Sequence, residues 1–227
     1  MMNKEMFSRS IGLLGEENFS LIQSKTIAIF GLGGVGGTAL EALARTGFTH
    51  FLLVDFDKVD PSNLNRQILY TQKDIDRTKV EVAKERTLAI NPEADIKIFN
   101  MKAQDFDFNQ KIDFIVDAID DVEGKLFILK NAQEKNIPQI MSLGMANRFE
   151  PDKVKIAKLN QTNNDPLAKK IRYLVKRSGL STGNINVAIS SELPQKKQEK
   201  LYSTMMVPSS AGLSIAKYIL ECIIITK

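Results

Sequence analysis

The chain has 227 residues, 43% of them hydrophobic, a net charge of +4 and one cysteine, Cys222. That is enough apolar material for a sizeable core, and it excludes an internal disulfide and any zinc site built from paired CxxC motifs. No uninterrupted run of about 18 apolar residues occurs and residues 1–10 lack the apolar centre of a secretory signal, so a cytoplasmic protein with no membrane span is expected. Residues 1–150 carry 18 Lys/Arg against 22 Asp/Glu, whereas residues 151–227 carry 13 against 5, a net +8. The basic C-terminal third could meet a polyanion or be no more than a solvated lysine-rich face.

The segment KTIAIF (25–30) reads as a buried strand opening onto a glycine loop. Residues 34–46 read as a helix and HFLLVD (50–55) as the next strand, a unit of the length a parallel crossover requires. A helix follows near 78–90 and stops at Asn91-Pro92. Strands are expected at 95–100, 113–119 and 138–143, with a helix at 122–135 between the last two. This alternation implies an α/β fold, a doubly wound, mainly parallel Rossmann-like sheet. Residues 153–159 alternate like a strand with one wet face, and 165–177 form a basic helix with Asp165 as its cap and Pro166 in its first turn. The charged stretch 190–200 reads as a mobile surface loop. Residues 208–225 form an apolar helix with a narrow polar stripe (Ser214, Lys217, Glu221), as suits a core or subunit interface. One domain over 1–227 is expected, with 151–227 as its basic extension.

Gly31, Gly33 and Gly36 satisfy G-x-G-x-x-G, and with Gly34 they make a candidate phosphate cradle at a helix N-terminus. Asp55 follows about 20 residues later, at the end of the second strand, where an acid binds ribose hydroxyls. Those features alone would suit a nicotinamide or flavin enzyme. The following residues shift the balance. Asp57, Asn65, Arg66 and Lys79 come after the second strand, and Asp117 and Asp120 close a later one. A redox cofactor has no use for a phosphate-neutralising Arg and Lys with a metal-binding acid in one crevice; a triphosphate losing pyrophosphate does. Plainer roles exist for some groups: Arg9 at the surface, Asp57 capping a turn, Asp117 satisfied by backbone, His50 structural, and Cys222 packed in its helix.

The motifs GLGGVGG, DFD, SNLNRQ, KVE and DAIDD resemble the adenylating enzymes of the ubiquitin-activating (E1-like) superfamily. FSRSIGLLGEE, EALARTG, DPLAKKIR and VPSSAGLSIA look like its branch of tRNA threonylcarbamoyladenosine dehydratases. The resemblance implies that Asp55 holds the ATP ribose, that Asn65 and Arg66 contact the triphosphate, and that Lys79 lies over the phosphates. It further implies that Asp120 binds Mg²⁺ and that Arg9 enters the ATP site of a second subunit, hence a homodimer. Ubiquitin-type activators need a thioester-forming cysteine, and some sulfur-carrier activators hold zinc through two CxxC pairs; this chain has neither. What the resemblance then implies is ATP-dependent cyclisation, with loss of water, of threonylcarbamoyladenosine beside the anticodon of tRNA. The basic 153–177 and 196–200 segments, including Lys169, Lys170, Arg172, Lys176 and Arg177, become candidates for RNA backbone contacts. DNA is not an expected partner; a sulfur-transfer partner, known around some relatives, stays open. Activation of a ubiquitin-like sulfur carrier and NAD(P)-dependent redox chemistry remain the alternatives.

Overall fold

The computed structural model describes residues 5–163, 165–181, 183–195 and 201–225. Short apolar runs with no wet face become interior parallel strands. These are β1 (Thr26–Phe30), β2 (His50–Val54), β4 (Phe114–Asp117) and β5 (Gln139–Ser142), with β3 (Asp95–Phe99) alternating in burial at one edge. Two further strands, β6 (Val154–Lys158) and β7 (Asn186–Ser190), complete a seven-stranded sheet in the order β3-β2-β1-β4-β5-β7-β6. All neighbouring pairs run parallel except β6–β7. The strand order reverses between β1 and β4, and in such a sheet ligands bind at the carboxyl ends beside that switch point.

Side chains alternate across each strand, so β1 feeds two cores. Ile27 and Ile29 pack with α3 (Gly34–Thr46), α4 (Lys79–Ile90) and α7 (Met206–Ile225) on one face. Ala28 and Phe30 pack with Phe106, Phe108 and Ile128 of α5 (Val122–Glu134) on the other. A third cluster joins β5 and β7 to Ile171 and Val175 of α6 (Pro166–Arg177). Asp165 caps α6 as the sequence predicts, accepting from the Ala168 N–H at 2.8 Å with Pro166 at the first position.

Three elements depart from the sequence reading. Residues 8–23 form two helices, α1 (Ser8–Leu14) and α2 (Glu16–Gln23), where no element is expected; Phe7 and Phe19 anchor them in the main core. Residues 186–190 are a buried strand rather than part of an unassigned stretch, with Val187 and Ile189 facing the third cluster. Of the expected loop, Ser190 ends β7, 191–195 carry no regular structure, and 196–200 lie outside the described residues. By length and composition alone α7 is apolar enough to cross a membrane. Here it lies across α3, burying Val207, Ala211, Ile215 and Ile219 on one i, i+4 stripe.

Gly212 sets the α3–α7 approach: a Cβ there would lie 2.5 Å from the Val35 carbonyl oxygen and 3.0 Å from the Ala39 nitrogen. Alanine gains up to about 1 kcal/mol of helix propensity over glycine, but overpacking against immovable backbone costs about 1–3 kcal/mol. The Gly212→Ala protein is therefore expected to unfold at lower urea concentration than the wild type, and an unchanged or higher midpoint would show that the helices separate without cost.

Candidate nucleotide-binding site

The chain leaves β1 through a turn that only glycine fits. Gly31 has φ +85°, and a Cβ on it would sit 2.7 Å from the Ala118 carbonyl oxygen. One helical turn later, a Cβ on Gly36 would lie 1.9 Å from the Gly31 oxygen, so the first turn of α3 rests directly on the loop. Gly33 is the N-cap of α3 and no side chain caps the helix, which leaves its first N–H groups and the positive end of its dipole for an anion.

Asp55, just past β2, joins the loop to the neighbouring strand. Its Oδ2 accepts from the Leu32 N–H at 2.6 Å and its Oδ1 from the Asp57 N–H at 2.9 Å. The Tyr70 hydroxyl donates to the Leu32 carbonyl at 2.9 Å. Burial pushes the Asp55 carboxyl above the ordinary aspartate value, against the pull of the Lys79 charge. Lys79 opens α4, is buried, and donates from Nζ to Asp57 Oδ2 at 2.6 Å. The backbone ties the same two residues, Lys79 N–H to Asp57 carbonyl at 2.9 Å, so the 55–59 segment and the start of α4 move as one wall.

The opposite wall follows β4. Asp121 caps α5, accepting from the Gly124 N–H and from Gln104 Nε2, both at 2.8 Å. Asp120 is exposed on the rim and enters no ion pair among the described residues. Beneath it, Asp117 and Lys125 form a fully buried ion pair, Nζ to Oδ1 2.8 Å, and Lys125 also donates to the Ser142 carbonyl at 2.9 Å. Burial drives the Asp117 carboxyl upward and the Lys125 ammonium opposes it.

These walls enclose a cleft of about 630 Å³, within the usual range for small-molecule sites, lined by Gly31, Gly33, Gly34, Asp55, Asp57, Arg66, Lys79 and Asp120. Eight of the sequence-predicted residues therefore meet in one place. Three do not line it. Gly36 lies beneath the loop, and Asn65 stands beside the cleft, donating to the Ser203 carbonyl at 2.8 Å. Arg9 is exposed on α1, away from the cleft of its own chain. Arg66 is half-buried, and its guanidinium donates to the Ser62 carbonyl at 2.7 Å and to Asn65 Oδ1 at 3.0 Å. His50 begins β2 outside the cleft, 3.6 Å from Asp95, and Cys222 is half-buried on α7 against the main core. Arg172 drops out of the candidate RNA contacts because its guanidinium is committed to the Leu159 and Thr162 carbonyls and the Thr162 hydroxyl.

Sequence reasoning missed Lys125 and Phe56, and it quoted Gln67 within SNLNRQ without giving it a role. Lys125 shares the buried stripe of Ile128, Leu129 and Ala132, a periodicity that marks it as inward-facing. Gln67 is buried in the cleft wall with Oε1 unpartnered among the described residues, an acceptor awaiting a ligand or water. Phe56 is 57% exposed on the rim, with the Lys102 ammonium 5.6 Å from its ring centre.

Fold and cleft together define a nucleotide-binding α/β protein whose site is furnished for a polyphosphate. The chain belongs to the ThiF family, whose profile matches residues 7–201. It is 32% identical over 235 residues to the tRNA threonylcarbamoyladenosine dehydratase of Bacillus subtilis, covering 94% of this chain and 92% of that one. Its structure is similar to crystal structures of the Escherichia coli tRNA N6-threonylcarbamoyladenosine dehydratase. The complex with ATP superposes with TM-score 0.91 at 27% identity, and the complex with AMP with TM-score 0.90 at 28%. Both comparisons cover 98% of this chain and 95% of the other.

Two outcomes follow from the charges. If ionised Asp55 accepts from the ribose, ATP affinity falls as pH drops through its raised pKa, at a higher pH than an ordinary aspartate would give. Calorimetric titration of the wild type should show that acid limb and Asp55→Asn should lack it; matching pH profiles would contradict the assignment. Lys125→Met strands a buried carboxylate, so it should cost about 3–5 kcal/mol in urea denaturation, partly recovered in the Asp117→Asn/Lys125→Met double variant. Equal loss in the single and double variants would show that the pair is not coupled.

Proposed function

We propose that this chain is an ATP-dependent tRNA threonylcarbamoyladenosine dehydratase that works through an acyl-adenylate, as a cytoplasmic single-domain homodimer. One observation carries the reading. A single cleft gathers a glycine cradle, a ribose-side acid, two cations and a rim carboxylate in no ion pair among the described residues, while the one thiol lies on α7. That set serves adenylation without covalent transfer to the enzyme. The similarity to the B. subtilis and E. coli dehydratases over almost the whole chain supports the choice of substrate.

In this mechanism the α3 N-terminus and Gly31–Gly34 cradle the phosphates, and Asp55 accepts from the ribose. A carboxylate oxygen of the threonyl arm bonds to the α-phosphorus, the bond to the bridging oxygen breaks, and pyrophosphate leaves. Arg66 and Lys79 offset the charge that builds on the phosphates, and Lys79 exchanges its Asp57 partner for phosphate oxygen. Arg9 from a second copy adds a bidentate donor at the same place. The carbamoyl part of the arm then closes onto the acyl carbon, the acyl–oxygen bond to AMP breaks, and one water is lost overall. The nucleophile is held within the same side chain, which supplies proximity, and the proton that the carbamoyl N–H loses on ring closure passes to the departing AMP phosphate or to water. The described residues contain no cluster of three metal-ligating side chains, so Asp120 would supply a single carboxylate, which suits a Mg²⁺ ligated mainly by phosphates and water. When bound, Mg²⁺ would neutralise phosphate oxygens.

The reading is tested by incubating the protein with MgATP and tRNA bearing threonylcarbamoyladenosine, then weighing the digested nucleosides. Loss of one water that depends on ATP is expected, with kcat lowered by roughly a hundredfold or more in Asp120→Ala and in Lys79→Ala. An unchanged nucleoside, with AMP released only when a carrier protein ending in Gly-Gly is added, would assign the site to sulfur-carrier activation. No ATP consumption with either substrate would defeat adenylation altogether.

A further inference from the structure

A second hollow, of about 260 Å³, opens at the same carboxyl edge of the sheet, where the chain leaves β5. Asn147, Arg148 and Phe149 form one side and Tyr202 and Ser203 the other. Its two aromatic rings face outward, Phe149 63% and Tyr202 53% exposed. The backbone that carries them is held firmly. The Phe149 N–H donates to both carboxylate oxygens of Glu192, at 3.0 and 2.9 Å. Asn147, in the left-handed region at φ 58°, donates from its N–H to the Tyr202 carbonyl at 2.7 Å. Its Oδ1 accepts from the Tyr202 N–H at 2.8 Å. Beneath them, buried Arg148 pairs with Asp165 at 3.1 Å and donates to the Glu192 carbonyl at 3.0 Å. Two exposed aromatic rings on a pinned backbone form a platform that loses little entropy when something stacks on it.

The hollow adjoins the nucleotide cleft. Asn65, the neighbour of Arg66, bonds the Ser203 carbonyl in the wall of the hollow. A Cβ on Gly34 of the phosphate cradle would lie 3.0 Å from Pro208, at the start of the helix that follows Ser203. On its other side Arg148 reaches the N-cap of α6, whose outer face carries Lys169, Lys170, Lys176 and Arg177. Exposed Lys169 and Lys170 in the first turn of α6, the two exposed rings and the nucleotide cleft thus lie toward the carboxyl end of the sheet, while Lys176 and Arg177 lie further along α6, toward its opposite end. Basic grooves with aromatic platforms are how proteins hold unpaired nucleotides.

We propose that this hollow receives the purine that carries the carboxylate arm, stacked on Phe149 and Tyr202, with the arm passing Asn65 and Arg66 into the cleft. The assignment rests on the dehydratase reading for the identity of the arm. A protein partner seated on the same rings is the competing occupant, and the basic face of α6 favours RNA.

The test uses a synthetic anticodon stem-loop bearing threonylcarbamoyladenosine. Phe149→Ala and Tyr202→Ala should raise the KM for the stem-loop roughly ten- to a hundredfold while the KM for ATP stays constant. An unchanged stem-loop KM would overturn the assignment and point to a protein partner. The chain contains no tryptophan, so Tyr202→Trp installs a lone indole reporter. Its fluorescence should be quenched saturably by the stem-loop, and Tyr202→Trp should keep a near-native KM where Tyr202→Ala does not. If the wild type leaves the stem-loop unreacted, the dehydratase reading falls. The indole titration with the same RNA still judges the hollow, and unquenched emission would overturn the assignment.

Discussion

The bond from the Leu32 N–H to the Asp55 carboxylate is the constraint on which the rest of the site depends. It spans two adjacent parallel strands and holds the glycine loop against the end of β2. Gly31 can then turn under Ala118 with φ +85°, and α3 starts at Gly33, in the lining of the cleft, with no side-chain cap. The other oxygen of the same carboxylate accepts from Asp57, whose side chain holds Lys79. One buried acid therefore sets the spacing between the glycine loop, the start of α3 and the Asp57–Lys79 pair. Its desolvation raises its pKa, a cost the fold accepts for a correctly placed acceptor.

The far wall is stiffened in another way. Asp117 and Lys125 are both fully buried, and Lys125 also reaches the Ser142 carbonyl, so the ends of β4 and β5 are linked under the Asp120 rim. Such a pair adds little net stability relative to apolar packing, but losing one member is expensive, which makes the local arrangement unforgiving of change. Asp120 itself stays exposed and outside any ion pair among the described residues. The two walls differ accordingly: one holds the half-exposed Asp57–Lys79 pair, the other a pair buried on both sides.

Much of this was legible in the sequence because its cues are local. The β1 run, the G-x-G-x-x-G spacing and Asp55 some 20 residues on predict the loop and its acid partner, and Asp165-Pro166 marks the start of α6. The cues for β7 were weaker. Its five residues lie among turn-forming residues, and a run that short reads equally as strand or connection until β5 and β6 supply its hydrogen bonds. The 8–23 helices owe their place to Phe7 and Phe19 in a core assembled from distant segments. Lys125 was overlooked because lysine is read as a surface residue, although its helical stripe with Ile128 and Ala132 points inward. Arg172 erred the other way: a cation counted toward RNA satisfies carbonyls of the preceding turn instead. The hollow beside Arg148 joins residues more than 50 positions apart, and no local spacing announces it.

Adenylation of the carboxylate is the step that separates this chemistry from redox use of a similar fold and from phosphorylation by the same nucleotide. The most direct measurement places ¹⁸O in the threonyl carboxylate of threonylcarbamoyladenosine in tRNA and follows the label through one round of reaction with MgATP. Attack on the α-phosphorus, followed by ring closure at the acyl carbon, transfers one carboxylate oxygen to AMP, so AMP should carry the label and pyrophosphate should not. Label in inorganic phosphate alongside ADP, or AMP free of label, would contradict an acyl-adenylate intermediate.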